Sequence, residues 1–192
     1  YEMFFPFQSD WIKMVTMNTV AIDGDICSGK STCISLFLRK GVTVKIPEYS
    51  ALADGSHNFP KFPTLNEDQA KQSMDFFLML ERKRITNHIT ISDSLTVIDR
   101  PFLSHLMIIS ALSMFMDVHL SSLDLQSYTN SIQIIPHRIL YFHIADEVQL
   151  KRFYKRGDVH CPHALINGAF KRIIRKKYFL LNSILGFDYV TF

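Results

Sequence analysis

The sequence predicts an α/β fold, a five-stranded parallel sheet flanked by helices, on three grounds. Short apolar or β-branched runs near residues 16–22, 42–46, 95–98, 138–144 and 187–192 read as strands. Stretches at helical period separate them, and strand alternating with helix is the pattern of parallel strands covered on both faces. The chain has 192 residues, 47% hydrophobic and 20% charged, which supports one core and excludes a disordered polyampholyte.

The elements follow in order. Residues 1–15 are aromatic and irregular, with Phe4, Phe5, Phe7 and Trp11, and are expected to form an arm appended to a domain over 16–192. Glu2, Pro6 and Asp10 interrupt any signal-peptide core, and a chain opening on Tyr1 is expected to be a piece of a longer product. After the first strand a Gly-rich turn leads into a helix over 30–39, which Gly41 stops. Residues 47–65 carry the Pro and Gly of a loop. Asn66 is an N-cap for a long helix from Glu67 to about Thr90. Further helices are expected over 101–118, with Pro101 in the first turn, then over 122–131, 146–156 and 164–185.

Charge and cysteine content exclude several classes. The net charge of +3 is too small to indicate nucleic acid. Residues 151–178 hold nine Lys/Arg against Asp158, and the stretch from Lys171 to Lys177 reads as a solvated helix surface. No apolar run is long enough to span a membrane. Three cysteines, Cys27, Cys33 and Cys161, make no disulfide framework, so an intracellular compartment is expected, cytoplasm or mitochondrial matrix. His160, Cys161 and His163 are too cramped for a zinc site.

The strongest motif is Gly24-Asp25-Ile26-Cys27-Ser28-Gly29-Lys30-Ser31, which satisfies G-x-x-x-x-G-K-[ST] between a strand and a helix. Consecutive backbone N–H groups there curl round a phosphate, and the helix N-terminus adds positive potential. Lys30 would reach the β- and γ-phosphates, while the Ser31 hydroxyl would ligate Mg²⁺. The ligand implied is ATP with Mg²⁺, held over Gly24 to Thr32.

Four further groups suit a site for phosphoryl transfer. Glu48 closes the second strand, where a carboxylate takes a proton from a hydroxyl. Asp99 and Arg100 close the third; Asp99 is a second Mg²⁺ ligand and Arg100 orients the acceptor or neutralises the transferring group. Arg152 and Arg156 lie four apart on one helix face before Gly157, as in a lid that closes on triphosphate. Gln72 and Met79, seven apart, share a helical face, and the Gln amide suits a base edge.

These residues together resemble the deoxynucleoside kinases. The loop from Ile22 to Thr32 is similar to that family's G-N-I-x-x-G-K-[ST], and Pro47-Glu48 to its strand-end E-P. Gln72-Ser73 is similar to its F-Q-S-Y helix, where Gln pairs with a pyrimidine, and Met79 to the Met of broad or thymidine-preferring members. The run from Asp99 to Ser104 matches the spacing of that family's [ED]-R-S-x-x-S, and 151–157 looks like its K/R-rich lid. The resemblance spans about 16–192 and implies a P-loop kinase fold, phosphorylation of a nucleoside 5′-hydroxyl, and two chains paired through helices. The sequence departs from it at Ala53, where a Trp is usual, and at Asp158 to Cys161, where Arg and Glu contact the sugar. Two other functions are compatible with the same loop: a thymidylate-type monophosphate kinase, and a kinase-like subunit that binds nucleotide without turnover.

Overall fold

A computed structural model describes residues 15–39, 43–52, 60, 66–88, 95–118, 120, 125–132, 134–157 and 163–192. The strands are β1 (Val15–Gly24), β2 (Thr43–Ile46), β3 (Leu95–Asp99), β4 (Ile135–Phe142) and β5 (Asp188–Thr191). They form one sheet in the order β2-β3-β1-β4-β5, with every neighbouring pair parallel. The helices are α1 (Lys30–Arg39), α2 (Glu67–His88), α3 (Phe102–Met116), α4 (Leu125–Asn130), α5 (Asp146–Arg156) and α6 (Gly168–Leu185). Short 3₁₀ turns occupy Tyr49–Ala51 and His163–Ile166.

Successive residues of a strand face opposite sides, and both sides here are covered. Ala21 of β1 and Ile98 of β3 enter the large core, where α3 packs with α2 and α6. Their neighbours Ile22 and Val97 enter a smaller cluster with Ile34 under α1. Along α3 every residue from Phe102 to Leu112 except Ile108 is buried, so it is the central helix of the large layer.

The predicted elements are present, with shifts that have local causes. β1 begins at Val15 and carries an irregularity between Thr16 and Val20, where Asn18 has a φ of +75°. β4 starts at Ile135, three residues before the expected strand. Pro136 is tolerated because it pairs with Thr16 just before that irregularity, and the His137 N–H turns to the Thr19 hydroxyl at 3.1 Å. Pro101 is the extended cap before α3 rather than part of its first turn. The helix expected over 164–185 divides at Asn167, whose side chain accepts from the Ala169 and Phe170 N–H groups and starts α6. The aromatic arm as far as residue 14, Gly41, Ala53 and residues 158–162 lie outside the described residues.

Candidate active site

The carboxyl ends of β1 to β4 meet along one edge, on both sides of central β1. In an open parallel sheet this edge is where a ligand crevice forms.

Between β1 and α1 the chain curls through three left-handed residues, Gly24 (φ 131°), Cys27 (61°) and Gly29 (101°). Only glycine fits at 24, because a Cβ there would collide with the Phe142 main chain. The Asp25 N–H donates to the Phe142 carbonyl at 2.9 Å and ties the loop to β4. Lys30 Nζ lies across the loop, donating to the carbonyls of Gly24 (2.9 Å) and Asp25 (2.7 Å). Burial, reinforced by the nearby Arg100 charge, pulls the Lys30 amine from 10.5 to about 8; Asp23, Glu48 and Asp25 oppose that shift. Ser31 and Thr32 are exposed in the first turn of α1.

The loop is anchored by the buried Asp25 side chain. Its Oδ2 accepts from the Ile144 N–H at 3.0 Å and lies 2.7 Å from His143 Nδ1; its Oδ1 accepts from the Tyr141 hydroxyl at 3.1 Å. Helix α5 reaches the loop from above. Gln149 Nε2 donates to the Ile26 carbonyl and Arg152 Nη1 to the Cys27 carbonyl, each at 3.1 Å.

Across β1, Arg100 follows β3 in a left-handed conformation (φ 58°), with its N–H on the Ile22 carbonyl at 3.0 Å. A non-glycine residue held there stores strain that the surroundings must impose. Its Nε lies 3.5 Å from Glu48 Oε1 and 3.9 Å from Asp23 Oδ1. Buried Asp23 is in turn held by the hydroxyls of Ser104 (2.7 Å) and Tyr178. Lys45 Nζ lies 3.4 Å from Asp99 Oδ2, and burial, then the Glu48 charge, raises the Asp99 carboxyl.

A buried guanidinium fastens this half. Arg84 Nη1 donates to the carbonyls of Pro47 (3.3 Å), Asp99 (3.2 Å) and Arg100 (2.9 Å), and so joins the ends of β2 and β3. Its Nη2 meets Glu81 Oε2 at 2.5 Å and the Tyr49 hydroxyl at 3.0 Å. Beside it, His105 stacks on Phe77 at 3.6 Å and meets the Tyr49 ring edge-on at 4.8 Å. His105 is buried, its Nε2 has no hydrogen-bond partner among the described residues, and burial with the Arg100 and Arg84 charges holds it well below 6.5 and neutral.

No family model matches the chain, and no curated protein matches it. Solved structures do. Deoxyadenosine kinase from M. mycoides with bound dATP superposes with a TM-score of 0.63 at 17% identity, covering 91% of this chain and 90% of that one. The same kinase with bound dCTP gives 0.62 at 18%, covering 91% and 89%. With the products dCMP and a flexible dCDP it gives 0.61 at 17%, over the same shares. The fold is that of a deoxynucleoside kinase.

Within that deoxynucleoside kinase fold, Lys30, Glu48, Asp99 and Arg100 converge on one crevice, and Arg152 reaches the loop. Arg156 is exposed one turn further along α5. Three placements were not legible in the sequence, and one of them, Lys171, corrects the expectation. Gln72 and Met79 do share a face of α2, and it is the exposed face, opposite the buried Ser73, Met74, Glu81 and Arg84 and the half-buried Phe77. Hydrophobic anchoring decided the rotation of α2, and Phe77 rather than Gln72 faces His105. Asp25 was expected to hold nucleotide, yet its N–H and carboxylate are both committed to β4 and its carboxyl end. Lys171 was assigned to solvent and is buried at 2% exposure. Sequence reading also missed Asp23, Glu81, Arg84 and His105. The one available signal was the Glu81/Arg84 spacing of three on a helix.

Proposed function

We propose that this chain transfers the γ-phosphoryl group of ATP to the 5′-hydroxyl of a deoxynucleoside, in the leading case a pyrimidine such as thymidine. The observation that carries the reading is the Arg100 guanidinium set 3.5 Å from the Glu48 carboxylate, with the Lys30 amine of the loop within reach of both charges. The bound nucleotides of the M. mycoides kinase point the same way.

The loop amides from Ile26 to Thr32 and Lys30 hold the donor phosphates, and Arg152 with Arg156 closes over them from α5. Glu48 accepts the proton of the acceptor hydroxyl. That oxygen bonds to the γ-phosphorus as the bond to the β–γ bridging oxygen breaks, and ADP leaves. Arg100 lies against Glu48 and orients the acceptor. Tyr49, Phe77 and His105 pack against one another as an aromatic cluster next to Arg84.

Magnesium on a nucleotide needs only one or two protein oxygens. The residues fit it: Asp99 and Glu48 bring two carboxylates to neighbouring strand ends, and burial, then the Glu48 charge, raises the Asp99 carboxyl, which a divalent cation would offset. Asp99 and the Ser31 hydroxyl would hold it, and it would neutralise charge on the β- and γ-phosphates. An acceptor that is already phosphorylated requires a free cation near Glu48, and Lys45 is engaged by Asp99. The resemblance adds pairing of two chains through helices.

The test is a panel of thymidine, deoxycytidine, deoxyadenosine and thymidylate with ATP–Mg²⁺. Phosphorylation of a nucleoside but not of thymidylate is expected. Turnover of thymidylate alone overturns the acceptor assignment, and ATP binding without any transfer favours the non-catalytic subunit.

A further inference from the structure

We propose that Lys171 is a positioning residue for the phosphate donor. With Gln149 and Asp25 it fixes the spacing between the phosphate loop and α5, and thereby how tightly the donor phosphates are held. This rests on the reading of the loop as the donor site.

An ammonium group withdrawn from water must find partners, or its burial is prohibitive. Lys171 Nζ has four: Asp146 Oδ1 at 2.5 Å, Gln149 Oε1 at 2.9 Å, the Ile144 carbonyl at 3.2 Å and Asp25 Oδ2 at 3.5 Å. They come from the phosphate loop, the segment just after β4 and the first turns of α5. The amine of α6 therefore touches all three of these pieces at once.

Gln149 carries the contact onward. It is fully buried, and its amide uses both ends, accepting from Lys171 and donating to the Ile26 carbonyl. A primary amide can face a cation and a carbonyl at once; a carboxylate cannot. Asp25, Lys171, Gln149 and Ile26 thus form a closed polar ring that leaves the loop and returns to it. Arg152 stands three residues beyond Gln149 on α5, with its guanidinium on the Cys27 carbonyl. Any change in the seat of Gln149 carries that arginine with it.

A buried ion pair is weak evidence for stability, because desolvation offsets most of the attraction. What the ring supplies is geometry. Its hydrogen bonds and ion pairs run to the loop, the segment after β4 and α5, and among the described residues none runs to Glu48, so its effect is expected on the donor.

Gln149→Glu tests this with minimal change in shape. It leaves Lys171 an acceptor and places an oxygen against the Ile26 carbonyl. The expected result is a folded protein whose affinity for a non-hydrolysable ATP analogue, measured by calorimetry, falls about tenfold, the cost of one unmade buried hydrogen bond. KM for ATP rises in parallel while KM for the nucleoside stays within twofold. Lys171→Met, which keeps length and removes charge, gives the same split at a lower Tm and serves as the readout if Gln149→Glu does not fold. Unchanged ATP affinity in the folded variant, or an equal shift of both KM values, overturns the inference. Wild-type protein that fails to bind the ATP analogue overturns the donor-site reading itself, before any variant is compared.

Discussion

On the β1–β4 side of the sheet edge, a buried carboxylate, Asp25, is held by N–H, hydroxyl and ammonium donors. On the β2–β3 side a buried guanidinium, Arg84, holds three main-chain carbonyls and the Glu81 carboxylate. The polarity of the two anchors follows from what each side presents. A phosphate cradle points its N–H groups into the crevice, and what fixes it from behind is an acceptor, Asp25. The acceptor half must aim the Glu48 and Arg100 side chains, so it is the strand-end carbonyls that need a donor to hold them. Most of the working groups of the first side are contiguous in sequence; those of the second come from four separate elements.

That contrast can be broken at several points. Lys30→Ala removes the donor-side charge and is expected to abolish phosphoryl transfer in a steady-state assay while the far-ultraviolet dichroism stays native. Arg84→Met leaves Glu81 buried without its cation, and should cost about 3–5 kcal/mol in denaturant unfolding as well as most activity, since Glu48 and Arg100 lose their common brace. Glu48→Gln keeps the shape of the side chain and removes the charge that faces Arg100. Turnover is expected to drop at least about a hundredfold with ATP binding near normal, and unchanged turnover removes Glu48 from the mechanism.

Lys30 also separates function from stability. Its amine titrates near 8 in the folded chain against 10.5 unfolded, so between those values the unfolded chain binds more protons and wild-type stability rises with pH. Lys30→Met lacks that burden. It should melt above wild type at pH 7, each kcal/mol giving about 2–4 °C in Tm, with the advantage shrinking from pH 8 towards 10.5; a constant difference across that range refutes it. The smallest effect is expected at the exposed Arg138–Asp188 pair on β4 and β5, 2.7 Å apart. Arg138→Ala should change stability by less than about 1 kcal/mol, in contrast to Arg84.

Legibility followed the same division. The positions of the loop from Gly24 to Ser31, of Glu48 and Arg100 at strand ends, and of Arg152 on α5 were readable because each belongs to a short local pattern set by neighbours in the chain. The exposure of Gln72 was not legible, because spacing shows which residues share a helical face and not which face is buried. Lys171 was misassigned because its partners Asp25, Ile144, Asp146 and Gln149 lie more than twenty residues before it. His105 reads as one more residue of an apolar helix until Phe77 and Tyr49 are seen to enclose it.

The amino-acid order by itself determined the five parallel strands, the alternation with helices and the phosphate loop, since periodicity and a glycine-rich turn act over a few residues. Tertiary structure alone decided which charges are buried, which cation braces which carbonyls and which face of α2 turns inward. Those outcomes depend on desolvation and hydrogen-bond geometry between distant segments, and they arise only once the segments pack.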